Sequence, residues 1–211
     1  VIDPQLRRTL VGVLESAREL GFLGPGPVED HLERSFAFEA AWTSIRPDPP
    51  PTILDLGTGG GVPGLILALT WPLSRVVLLD GSDRRVEFLH GAIDRLGLAD
   101  RVRPLAQRAE EAGHSALRGT FSLVTARGFA APAVTAECGA ALLEPAGLLA
   151  VAEPPGGNPD RWPVGPLAAL GLELAGLTVE PAAIQLLHLV GPFPDRYPRR
   201  VGIPSKRPLW S

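Results

Sequence analysis

The sequence predicts an α/β fold: a mostly parallel sheet with helices on both faces, a helical N-terminal cap, and an antiparallel hairpin at one edge, making seven strands. Three observations predict it. From residue 52 onward, short apolar runs alternate with helical patterns, the rhythm of a parallel sheet. At 53–71 a strand runs into a glycine-rich turn and then a helix. Near the end, two apolar runs at 172–180 and 184–190 follow each other with no helical pattern between them.

The elements follow in order. Residues 4–21 place Leu6, Leu10, Val13, Leu14, Ala17 and Leu20 at helical spacing, and Gly21 with Gly24-Pro25-Gly26-Pro27 ends that helix. A second helix is predicted over 28–45, with Val28, Leu32, Phe36, Ala40 and Trp42 or Ile45 inward. The run Pro47–Pro51 is a stiff linker. Strands are predicted at 52–56, 75–80, 101–106, 121–126 and 147–152, and helices at 63–71, 84–96, 108–117 and 131–143. Gly97 sits where a helix ends in a left-handed residue. The Pro- and Gly-rich segment 153–166 is predicted as loop. The expected organisation is a cap at 1–50, a nucleotide-type domain at 51–190 and a tail at 191–211, within one globular unit.

The turn carries the chemistry. Its spacing is Asp-x-Gly-x-Gly-x-Gly, from Asp55 through Gly57 and Gly59 to Gly61. A dinucleotide fingerprint would want glycine at position 62, where this chain has Val62. An acid two residues before the first glycine marks the S-adenosylmethionine variant, whose turn cradles an amino acid and a ribose instead of a pyrophosphate. Asp80 ends the second strand 23 residues after Gly57, near the roughly 20-residue offset of a ribose-binding carboxylate. Together with five parallel strands and a hairpin, this is the Rossmann-like sheet of the class I methyltransferases.

Composition narrows the classes. Cys138 is the sole cysteine, which excludes an internal disulfide and a cysteine metal cluster. His31, His90, His114 and His188 are scattered, with no metal-ligand spacing, so no metal is expected. No apolar run approaches the ~20 residues of a membrane span, and no basic-then-apolar leader is visible, so a cytoplasmic protein is expected. The net charge of −3 is uneven. Residues 191–211 hold Arg196, Arg199, Arg200, Lys206 and Arg207 against Asp195 alone, leaving an acidic body with a basic tail. Such a tail suits a local phosphate contact, or a solvated surface.

Six segments resemble, in the right order, the bacterial 16S ribosomal RNA guanine-N7 methyltransferases, also called glucose-inhibited division protein B. They are His31–Ser35, Gly57–Gly64, Leu78–Ser82 with Arg84–Leu89, Arg108–Glu110, Thr125–Ala130, and the tail Arg196–Arg200 with Gly202 and Lys206–Leu209. The resemblance implies that Gly57 and Val62 line the methionine and ribose side, that Asp80 holds the ribose, and that Ala109 and Glu110 flank the adenine. It implies that Arg127 faces the reacting end. Other assignments stay open: Val62 as core, Glu110 as a helix N-terminal acid, Arg127 as a partner of Asp55 or Glu153.

The implied reaction is methyl transfer to guanine N7 in 16S rRNA or the small ribosomal subunit. That nitrogen has a free lone pair, so positioning and desolvation suffice and no general base is expected. Arg127 would position a guanine acceptor or a phosphate. Phe129 would stack on the base or pack in the core. Arg199, Arg200, Lys206 and Arg207 would meet RNA phosphates, with Tyr197-Pro198 docking the tail. The chain departs from the family pattern at Asp83, Glu153 and Gly191, where lysines are usual. These lost cations weigh against an RNA substrate; the acidic body and Glu153 keep a small-molecule methyltransferase as an alternative, and a noncatalytic cofactor-binding protein is a third.

Overall fold

A computed structural model describes residues 2–211. Helix α1 (Pro4–Glu19) starts at Asp3, whose side chain accepts the N–H groups of Gln5 and Leu6 at 2.9 and 3.1 Å. Proline at its first position costs nothing there. Helix α2 (Val28–Thr43) buries Val28, His31, Leu32, Ser35, Ala37, Phe38, Ala41 and Trp42. The buried face differs in part from the expected one. A four-residue step overshoots a full turn by about 40°, so the row from Val28 through Leu32 drifts outward. Phe36 is half-buried, while Ala40 and Ile45 are exposed.

The sheet comprises β1 (Thr52–Leu56), β2 (Arg75–Asp80), β3 (Val102–Ala106), β4 (Phe121–Ala126), β5 (Leu143–Ala152), β6 (Leu172–Thr178) and β7 (Ile184–Leu189). Their order is β3-β2-β1-β4-β5-β7-β6. The first five are parallel; β7 runs antiparallel to both β5 and β6. The central strands β1 and β4 are covered on both faces, which is why they read as unbroken apolar runs.

The parallel strands alternate with α3 (Gly64–Thr70), α4 (Asp83–Arg95), α5 (Ala109–Ala112) and α6 (Pro132–Ala140). Two helices are shorter than expected, α5 ending at Ala112 and α6 at Ala140. The segment predicted as loop holds a 3-10 turn at Pro159–Arg161 and α7 (Val164–Ala169). Its prolines stand in the first turn of each, where a missing N–H is no loss. The tail forms α8 (Ile203–Lys206).

Two apolar clusters flank the sheet. One joins α1, α2, α3 and α4 to it through residues such as Leu14, Phe38, Leu65 and Leu186, so the cap shares a core with the nucleotide fold. The other lies under α5, α6 and α7, with Tyr197, Leu209 and Trp210 of the tail packed against it.

Strand β5 begins four residues earlier than expected, because Leu143 already pairs with Phe121 before a bulge. In the bulge, Ala146 is exposed with φ 64°. A left-handed alanine costs about 1–2 kcal/mol, and glycine there gives back about 0.5–1 kcal/mol in chain entropy. Ala146→Gly is therefore expected to stabilise the fold by about 0.5–1 kcal/mol, read as a raised midpoint in urea unfolding. A lowered midpoint would show that the bulge carries no strain.

Candidate active site

The site opens at the carboxyl ends of β1, β4 and β5. A cleft of about 970 Å³ is lined there by Gly57, Thr58, Gly59 and Val62 of the turn after β1. Arg127 and Phe129 follow β4, Glu153 follows β5, and the β6–β7 turn closes one side. The cap supplies the roof: Phe22, Leu23 and Gly24 from the α1–α2 connection, with His31 and Arg34 from α2.

Asp55 shapes the turn from below. It is 1% exposed and does not line the cleft. Its Oδ2 accepts Thr58 Oγ1 at 2.6 Å and the Gly64 N–H at 3.0 Å, and its Oδ1 accepts Thr125 Oγ1 at 2.8 Å. Burial pushes its carboxyl above the usual carboxylate range, and these three donors with the Arg127 charge pull it back. Asp55, expected to bind cofactor, holds the turn from beneath the cleft, with three of its roughly four acceptor sites taken within the chain.

The glycines are required by the chain's own packing. Gly57 has φ 70°, and a Cβ there would stand 2.6 Å from Cδ2 of Phe129. At Gly59, φ is 58° and a Cβ would stand 2.9 Å from the carbonyl oxygen of Phe22 in the cap. The turn is thus pinned between Phe129 and the cap loop. Gly61 belongs to the same turn but stands behind the cleft, against Leu65.

Asp80 is 4% exposed at the end of β2. It accepts the N–H groups of Gly59 and Ser82, both at 3.0 Å. Arg85 Nη1 faces both its oxygens at 3.4 Å. A carboxylate offers about four lone-pair sites. Asp80 itself does not line the cleft, but Gly59 and Arg85 do, and the half-exposed Arg85, with 41% of its side chain exposed, is the one partner of Asp80 that a ligand could replace. Asp80 also braces the turn, so alanine there would disturb Gly59. The informative variant is Asp80→Asn, expected to weaken cofactor binding by about 1.5–3 kcal/mol, or roughly 10–150-fold. An unchanged dissociation constant by calorimetry would leave Asp80 as a brace alone.

Ala109 and Glu110 are buried at the start of α5, outside the cleft. The Glu110 Oε1 accepts the Gly202 N–H at 2.9 Å, so its side chain anchors the tail. Its carboxylate thus faces α8, which leaves only the backbone of Ala109 and Glu110 for the expected adenine contact. Arg108 lies over Gly81 beside it, 3.2 Å from where a Cβ would stand.

Arg127 pairs with neither Asp55 nor Glu153. Its Nη2 lies 2.9 Å from Nδ1 of His31 and its Nη1 3.4 Å from the His31 carbonyl. Burial lowers its pKa, and the charge of Arg34 adds to this, while Asp55 opposes it. The Glu153 side chain is buried and bound by Arg161, with Trp162 Nε1 donating to it at 3.2 Å. The acid expected at the pocket mouth therefore arrives with its own cation.

The tail docks as expected at Tyr197-Pro198: His114 Nε2 lies 2.6 Å from the Pro198 carbonyl, and Arg118 donates to that of Tyr197 at 2.8 Å. Arg199, expected to meet RNA, does not face solvent as a free cation. It forms a fork on Glu137, Nη2 to Oε2 at 2.6 Å and Nε to Oε1 at 3.0 Å, and Glu137 is fully buried. Arg200, Lys206 and Arg207 are exposed and enter no ion pair among the described residues. Trp210 Nε1 donates to the Arg161 carbonyl at 2.9 Å, which brings the tail's end to the cleft's rim.

Three lining residues escaped the sequence reading in these roles: Arg34, Arg85 and His31. The segment His31–Ser35 was a signal, but nothing in it says which wall its side chains reach.

Compared with known proteins, residues 27–152 match the model of the family described as rRNA small subunit methyltransferase G. The chain belongs to that family. Ribosomal RNA small subunit methyltransferase G of Synechococcus sp. (strain CC9902) is 39% identical over 187 residues, spanning 82% of this chain and 77% of that protein. The protein of the same description from Thermotoga sp. (strain RQ2) is 38% identical over 75% of this chain and 72% of its own length. Among solved structures, a methyltransferase from Geobacter sulfurreducens superposes with a TM-score of 0.60 at 16% identity, over 86% of this chain and 89% of that one. An O-methyltransferase from Bacillus cereus in complex with SAH gives 0.60 at 17%, over 86% and 90%. These two likenesses show the fold. Family membership makes the chain an S-adenosylmethionine-dependent methyltransferase. The residues fit that cofactor: a turn whose Gly57 and Gly59 bring bare backbone to the cleft, a carboxylate behind it whose charged partner Arg85 is half-exposed, and a cleft at the upper end of the roughly 300–1,000 Å³ of small-molecule sites. Among the described residues there is no acidic, histidine and cysteine cluster that could hold a metal ion, and no helix long and apolar enough to cross a membrane.

Proposed function

We propose that this chain methylates N7 of a guanine in small-subunit ribosomal RNA. The observation that carries the reading is the character of the cleft wall: it offers cationic donors and no poised base. His31 has both ring nitrogens engaged. Of the lining carboxylates, Glu153 is bound by Arg161 and Trp162, and Glu180 stands exposed on the β6–β7 turn. A wall of this kind suits an acceptor nucleophile that has no proton to lose.

The cofactor supplies an electrophilic methyl on sulfur when bound. The chain's own residues do the rest. The turn from Gly57 to Val62 seats the cofactor, and Asp80 takes the ribose. Arg127 presents N–H groups to the O6 acceptor of the guanine edge, leaving the N7 lone pair free to attack the methyl, or to an adjoining phosphate. Phe129, packed on Gly57 and half-exposed, offers a flat apolar face for the base. Closing water out of such a cleft strengthens each of these contacts. The target base must be unpaired or splayed out to enter.

The RNA would lie across the docked tail. Lys206 and Arg207 sit between two anchors, the Gly202–Glu110 bond and the Trp210–Arg161 bond, and Arg200 sits between the Arg199–Glu137 fork and the first of them. A small-molecule reading drew its support from the acidic body and from Glu153 at the pocket mouth, and that carboxylate is taken by Arg161 and Trp162. The test is mass mapping of methylated guanines in 16S RNA from cells with and without the protein. One N7-methylguanine that depends on the protein is expected. An unchanged map, with methyl transfer to a small acceptor instead, would overturn the reading.

A further inference from the structure

We propose that His31 of the cap is a positioning residue for methyl transfer: as a neutral imidazole it seats the Arg127 guanidinium in the cleft, and protonation releases it. The inference rests on the function proposed above, because Arg127 is the group that meets substrate.

The geometry fixes the imidazole's state. An arginine has donors only. The ring nitrogen Nδ1, 2.9 Å from Arg127 Nη2, must therefore carry a lone pair. The other nitrogen, Nε2, lies 3.1 Å from the carbonyl of Gly24, which can only accept, so Nε2 carries the proton. Both contacts hold together only in this one neutral tautomer. The same residue's carbonyl faces Nη1 at 3.4 Å, so Arg127 is held at two points by one cap residue.

Arg127 needs such a holder. It lies between buried and exposed, forms no ion pair with a carboxylate, and faces the cleft. Of the other three arginines lining the cleft, Arg85 stands over Asp80 and Arg161 binds Glu153, while Arg34 is exposed on α2. Without an acid to orient it, a guanidinium on a flexible stem takes its direction from neutral acceptors, here both from His31.

The contact also joins two parts of the fold. His31 is on α2, Gly24 on the α1–α2 connection that roofs the cleft, and Arg127 at the end of β4. An imidazolium would present N–H to Arg127 Nη2 and set two cations 2.9 Å apart. The charged groups facing the ring are Arg127 from β4, and Arg34 and Asp30 from its own helix. Burial is the largest cause lowering the His31 pKa below 6.5, followed by Arg127; Arg34 adds to this and Asp30 opposes it. The neutral ring's contribution is therefore complete above pH 6.5 and is lost as the pH falls from there through the lowered folded value.

The test compares wild type with His31→Leu and His31→Asn. Asparagine keeps an acceptor near the Nδ1 position but cannot titrate. Methyl transfer to 16S RNA by wild type is expected to fall on the acid side of neutrality. His31→Leu should lose about 10–100-fold at neutral pH, the scale of a hydrogen bond to a charged group. His31→Asn should recover most of that loss and show no acid limb. An acid limb unchanged in His31→Asn, or a His31→Leu rate equal to wild type, overturns the proposal. Ring ¹⁵N shifts of His31 give a readout that needs no RNA. A neutral Nε2–H tautomer at pH 7 is expected, and the other tautomer or an imidazolium overturns the proposal even if the RNA assignment stands. If the tautomer is as expected and the folded wild type transfers no methyl to RNA at any pH, the function proposed above fails and takes the positioning role with it.

Discussion

Arg199→Ala is expected to destabilise the fold by about 3–5 kcal/mol, the range for removing one partner of a buried ion pair. Its partner Glu137 is fully buried on α6, and both carboxylate oxygens are bound by Arg199, one of them also by the Arg199 backbone N–H at 2.7 Å. The variant leaves a carboxylate in the core with no cation. Urea unfolding measures this directly, and a loss under about 1 kcal/mol would mean that Glu137 finds other solvation. The contrast is the triple variant Arg200→Ala, Lys206→Ala and Arg207→Ala. These side chains are exposed and unpaired, so stability and cofactor affinity should hold. Affinity for 16S RNA should fall, and its dependence on salt should flatten by about 2 in logarithmic slope, at roughly 0.7 per phosphate contact on single strands. An unaltered slope would show that RNA does not cross the tail. Substituting all four cations together would mix the two effects and decide nothing.

Gly57→Val is expected to abolish measurable cofactor binding. Two costs combine. The residue holds φ 70°, where a β-branched side chain is a steric outlier. Its Cβ would also stand 2.6 Å from Phe129, which must leave its place over the turn. Calorimetry with S-adenosylmethionine reads the loss. The pair Gly57→Ala and Gly57→Ala with Phe129→Ala separates the two causes: recovery in the double variant assigns the loss to the clash, and no recovery assigns it to the backbone. Wild-type affinity in Gly57→Val would remove this turn from the cofactor site.

The strand order and the turn were legible in the residues because both are local signals. Apolar runs bounded by Gly and Pro give strand bounds to within a residue or two for β1, β2, β3 and β4. The misplacements have local causes too. The inward face of α2 drifted because four-residue steps were followed where the helix repeats at 3.6. Helix α7 was hidden because prolines at a helix start look like loop. The beginning of β5 was missed because a bulge at Pro145-Ala146 interrupts its pattern.

The sequence by itself determined the class of fold, the cofactor type and the family, since these rest on residue spacing along the chain: Asp55 to Gly61, Asp80, and six segments in order. Only the tertiary structure decided what each charged group is free to do. Asp55 and Glu110 read as site residues, yet one holds the turn and the other anchors the tail. Glu153 read as an acid at the pocket mouth, with Arg127 as its possible partner, and is bound by Arg161; Arg199 read as a cation for RNA and is bound by Glu137. His31 and Arg127, 96 residues apart, meet at 2.9 Å. Spacing along a chain fixes which residues share a turn or a helix face. Whether a charge is available depends on which opposite charge or lone pair folding sets within about 3 Å of it, and those partners here lie 8 to 96 residues away.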